Sequence, residues 1–62
     1  MKTRVVEVWD LATIKRSFRV DELNKERKWV CVKSFSTMER ALQVAYAISI
    51  DFKETILKEY GE

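Results

Sequence analysis

The hydrophobic period of this chain changes once, at Phe35, and that change restricts the fold more than any other feature. Before it lie three runs dense in β-branched and aromatic side chains, which pack well on a pleated surface. They cover residues 3–9, 13–20 and 28–35. After it, Met38, Leu42, Ala45, Ser49, Phe52 and Ile56 follow at spacings of 4, 3, 4, 3 and 4, the period of a helix. Ser36-Thr37-Met38-Glu39 reads as a capping box, with the Ser36 hydroxyl taking a backbone N–H and Glu39 reaching back to the cap. The expected fold is α+β: a small three-stranded antiparallel sheet packed by a C-terminal helix over about 37–59. A second capping box at Asp51–Glu54 marks a candidate break near Asp51, and Gly61 stands where a helix C-cap belongs.

Residues 11–20 admit two readings. Asp10 capping a helix from Leu11 would use the Leu11, Ile14, Phe18 spacing. The alternation from Lys15 to Arg19, together with mediocre helix formers, favours a strand. Asp21–Glu26 then makes a polar loop of hairpin length.

With 62 residues the chain forms one domain and buries only about 60% of its unfolded surface. The excluded chemistry is extensive. There is no His, so no imidazole base and no His-ligated metal. One Cys gives neither an internal disulfide nor a thiolate zinc site, and the one Gly, at 61, forms no phosphate loop. The Asp21-Glu22 pair lies in a charged loop, and Ser34, Ser36 and Thr37 have no base to activate them. No enzyme and no cofactor or metal is expected. Cys31, in an apolar run, reads as a buried thiol, which with the non-secretory start suggests a cytoplasmic protein. The longest apolar run, Ala41–Ile50, is too short to cross a membrane.

Two surfaces remain as candidate sites. Residues 1–33 carry a net charge of +4 and residues 34–62 a net −2. If Val6, Val8, Ile14, Phe18, Val20, Val30 and Val32 face the helix, the opposite face presents Trp9, Lys15, Arg19, Trp29 and Lys33. Cations that meet phosphates, interleaved with rings that stack on bases, suit nucleic acid. A merely solvated sheet face looks the same. The helix, apolar around much of its circumference, leaves Val44, Ala47, Ile48, Phe52 and Ile56 for a second copy, so a homodimer is expected.

Phe35, Thr37, Glu39 and Ala41 form a Phe-x-Thr-x-Glu-x-Ala junction, with Trp29 in the strand before it. This stretch, residues 29–41, resembles the three-stranded-sheet-plus-helix DNA-binding domain of the plant AP2 and tyrosine-integrase arm-binding type. The resemblance implies that the sheet enters a major groove, with Lys15, Arg19 and Lys33 as contacts. It lacks those families' Gly-rich early turns. The expectation is a small accessory or regulatory module that contacts nucleic acid, of a size that suits a phage or mobile-element factor. The alternative is a protein-binding adaptor or inhibitor acting through its apolar helix or its sheet edge.

Overall fold

The computed structural model describes residues 2–50, 52 and 56–61. Five elements follow one another: β1 (Lys2–Asp10), β2 (Lys15–Leu23), β3 (Trp29–Phe35), α1 (Met38–Ile48) and β4 (Ile56–Gly61). The strands build one sheet in the order β3-β2-β1-β4. β1 pairs antiparallel with β2, and β2 antiparallel with β3, while β4 lies parallel to β1. The chain leaves one edge of the sheet at β3 and reaches the other at β4, with α1 packed against β1, β2 and β3 on the way.

The core forms between α1 and one face. Val5 and Val20 lie directly opposite each other, with Phe18 two pairs along, opposite Glu7 and on the same face. They meet Ala41, Ala45 and Phe52, flanked by Phe35, Leu42, Val44 and Ile48. Two fully buried alanines let the helix backbone approach closely, and the Thr3 hydroxyl donates to the Ala45 carbonyl at 3.2 Å. Tyr46 packs edge-on against Phe52, with ring centroids 5.0 Å apart.

The three-stranded antiparallel sheet with a C-terminal helix is therefore corrected to a four-stranded mixed sheet with the helix before its last strand. The helix spans 38–48 rather than 37–59 because the backbone becomes extended at Ser49 and then turns at Ile50, where the Phe52 N–H donates to the Ser49 carbonyl at 3.1 Å. The 3-and-4 spacing beyond Ser49 is coincidental: Phe52 is a core plug and Ile56 pairs beside Val5 in β4. Gly61 is likewise no helix cap. It closes β4, where its carbonyl accepts the Leu11 N–H at 2.8 Å. The Asp51–Glu54 capping box lies outside the described residues, Phe52 excepted.

Local details shift as well. Thr37, not Ser36, is the N-cap, its hydroxyl accepting the Arg40 N–H. Residues 15–23 are strand, and Asp10 caps no helix but accepts the Ala12 N–H at the β1–β2 turn. Both hairpin turns are built without glycine, so Ile14 (φ 53°) and Arg27 (φ 61°) occupy the left-handed region. That conformation costs an L-residue roughly 1 kcal/mol, most awkwardly for β-branched Ile14. In the second turn, Asn24 compensates by accepting the Glu26 and Lys28 N–H groups through its side-chain oxygen.

Candidate functional site

Register decides which side chains share a face. On β1, Thr3, Val5, Glu7 and Trp9 lie on the helix side, and Arg4, Val6 and Val8 on the other. The parity expected for β1 is thus inverted, since Val5 rather than Val6 enters the core with Val20 and Phe18. β3 adds a further shift. Val20 pairs with Lys33 but Asp21 pairs with Cys31, so Val32 is an extra residue and the strand bulges. Past the bulge, Trp29 falls on the uncovered face, where Arg4 stacks over its ring at 4.3 Å. Lys33 and Phe35, before it, lie on the helix side, with the Lys33 ammonium 5.6 Å from the Phe35 ring.

The five residues expected to form one basic face therefore divide. Lys15, Arg19 and Trp29 share the uncovered face, while Trp9 and Lys33 lie on the other. Arg16, on the helix side opposite Trp9, reaches to Glu7 at 3.3 Å and lies over the Trp9 and Phe18 rings.

Sequence reasoning missed the chemistry at the centre of the uncovered face. Asp21 is only 2% exposed although no described element covers it. Arg19 grips its carboxylate with two hydrogen bonds, at 2.7 and 3.1 Å, and Arg4 adds a third at 2.8 Å. Arg19 also bonds Glu59 at 3.0 Å. The hydrogen bond to Asp21 raises the Arg19 pKa above its ordinary value against the opposing effect of burial. Val6, 2% exposed, lies beside Arg19 and Leu57 in the ladder. The guanidinium stems and Trp29 serve as the cover that an absent second helix would give. An arginine so engaged has little left to offer a phosphate. The Arg4–Asp21 and Arg19–Asp21 pairings link neighbouring strand positions (Arg4 opposite Asp21; Arg19 two residues before it), but only the register makes that visible.

The surface expected for a dimer divides too. Phe52 is core, Ile56 belongs to β4, Val44 and Ile48 pack half-buried against the core, and Ala47 is exposed. They form no single helix face, and most of the apolar surplus is used within the chain.

Two other places stand open. A cavity of about 370 Å³ lies between the start of α1 and the sheet, lined by Glu7, Arg16, Phe18, Met38, Ile56 and Lys58, among others. Its one buried carboxylate, Glu7, is already paired with Arg16. The second is β3 itself. As an outer strand it has one edge unpaired, and every residue from Trp29 to Ser34 is exposed. Trp29 is 38%, Val30 50% and Val32 44% exposed. Cys31, expected to be buried, is exposed among them. Outer strands are commonly blunted by charge or proline. β3 carries one charge, Lys33, and no proline; its bulge is its other guard.

Among the described residues no helix is long and apolar enough to cross a membrane, and no group of three side chains is placed to hold a metal ion. Comparison with protein-family models, with curated proteins and with solved structures yields no match.

Proposed function

We propose that this chain is a non-enzymatic protein-binding module that receives an extended segment of a partner along the edge of β3. One observation carries the reading: β3 is an outer strand that presents apolar side chains to solvent on both faces of the sheet. A row of unpaired backbone groups beside exposed valines is a template for strand addition. Main-chain hydrogen bonds then give affinity and the alternate side chains give selectivity. The remainder of the molecule supports this edge rather than competing with it. β2 holds β3 on its inner side, and the Arg4–Trp29 stack ties the first residue of β3 back to the central strand.

The test is selection of extended peptides against the protein, followed by backbone amide mapping. Binders are expected to shift the β3 amides, and the Val30→Lys/Val32→Lys variant, changed at two exposed positions, should keep its fold and lose them. Binders that map to the cavity at the start of α1 would remove the reading.

A second reading rests on the shared face of Lys15, Arg19 and Trp29. It is contact with single-stranded nucleic acid, checked by the salt slope of binding and by its loss in Lys15→Ala. The engagement of Arg19 by Asp21 and Glu59 makes it the weaker of the two.

A further inference from the structure

The β3 edge is also where the positive charge of the molecule is concentrated. From Asn24 to Phe35 the chain carries Lys25, Arg27, Lys28 and Lys33 against Glu26 alone, a net +3 in a protein whose total is +2. The rest of the molecule is thus slightly acidic. All five of these charged residues are exposed, and none of their side chains takes part in an ion pair among the described residues. By contrast, Arg4, Arg16 and Arg19 are committed to carboxylates elsewhere on the sheet. The cations outside these ion pairs lie at the two ends of the apolar stretch: Lys28 precedes Trp29, and Lys33, beside the Phe35 ring, follows Val32.

Resting on the strand-docking reading above, we infer that the segment β3 receives is acidic: a short extended stretch with alternating apolar residues and a carboxylate towards each end. The ladder dictates the alternation, because successive side chains of an added strand fall on opposite faces of the sheet. The carboxylates follow from the separation of Lys28 and Lys33, five residues apart but only about four strand steps once the extra residue Val32 is allowed for, or roughly 13 Å along the ladder. A seven-residue partner strand spans that distance. Opposite charges set directly across a strand pair are favourable and like charges are not. For the same reason a second copy of this chain is a poor occupant. Two β3 edges paired antiparallel would set Lys28 of one copy near Lys33 of the other, placing like charges together at both ends of the ladder. Long-range attraction would speed encounter with an acidic strand and make the association sensitive to salt.

The experiment uses the full chain and three synthetic seven-residue peptides. The first has glutamate at both ends and alternating valine and threonine between. The second has lysine at both ends, and the third is the acidic peptide with proline at its centre. Binding is read by calorimetry at low and moderate salt, and its location by amide shifts. The expected result is that the acidic peptide binds at β3 at least ~10-fold more tightly than the lysine peptide, with the difference shrinking as salt rises. The proline peptide should fail because it cannot complete the ladder. Lys28→Glu/Lys33→Glu, a change at exposed sites, should reverse the preference, and an unchanged circular dichroism spectrum would show that the fold is kept.

Equal binding of the acidic and lysine peptides at β3 would overturn the acidic partner while leaving strand docking intact. Absence of any peptide-induced shift at β3 would overturn both. Concentration-dependent dimerisation with shifts confined to β3 would replace the partner strand by a second copy. An oligonucleotide of comparable charge that outcompetes the acidic peptide at this edge would transfer the site to nucleic acid.

Discussion

The two faces of the sheet solve one problem by different chemistry. On one, α1 lays Ala41 and Ala45 over Val5 and Val20, and burial follows from apolar contact with a second layer. On the other, no described element lies above the strands, yet Val6 and Asp21 are as thoroughly buried. Here the cover consists of the sheet's own long side chains: Arg4 and Arg19 fold down on Asp21, and Trp29 lies beneath Arg4. The difference teaches that a short chain can close a second face without a second helix. The condition is that the buried carboxylate be fully hydrogen-bonded, since an unpaired one would cost more than the cover returns.

Removing Phe52 should have the largest effect, because it takes an aromatic ring from the helix-covered core. Phe52→Ala is expected to cost about 3 kcal/mol or more in urea unfolding, a large part of what a small domain possesses. A loss below about 1 kcal/mol would mean that the covered face does not depend on this plug.

Asp21→Ala should come next, at roughly 2–3 kcal/mol, somewhat under the usual figure for a broken buried pair because both arginines keep partial access to water. Pairing the change with Arg19→Met should recover part of the loss, since one stranded cation is removed with its partner. Strict additivity of the two would show that the uncovered face is held by packing alone.

Smaller effects separate the helix start from the strands. Thr37→Ala is expected to lower stability by about 1 kcal/mol, while Ser36→Ala should stay within about 0.5 kcal/mol of wild type. The reverse order would return the cap to Ser36. The smallest change is a gain. Ile14→Asn at the β1–β2 turn, serving neither face, should stabilise by roughly 0.5 kcal/mol because asparagine tolerates a positive φ better. Thermal unfolding of the two proteins side by side resolves it.

Much of the first half was legible in the residues. The three β-rich runs are strands, and a hydroxyl-capped helix follows Phe35. The Phe35-x-Thr37-x-Glu39-x-Ala41 junction has a local meaning: strand end, N-cap, first-turn carboxylate, and an alanine buried against the sheet. The fourth strand was hidden because Phe52 and Ile56 continue the helical spacing by chance, and spacing cannot tell a seam from a plug followed by a strand. A signal for it existed in β1. Val5 and Val6 are apolar on both parities, as in a strand with neighbours on each side and both faces closed. The candidate site was less legible still. One inserted residue, Val32, sends Trp29 and Lys33 to opposite faces, and no alternation pattern announces a bulge.

The parallel pairing of β1 with β4 has a consequence in time rather than in space. Of the four strands β1 is made first and β4 last, and Val5 finds its neighbour Ile56 only 51 residues later. The meander of β1, β2 and β3 can assemble from nearby partners, but the inner strand of the finished sheet spends that interval as an outer one, with Val6 and Val8 unaccompanied. By contact order, the return of β4 to β1 is the pairing expected to form last. A newly made chain is most open to misassociation on the side opposite β3, during the period before that return.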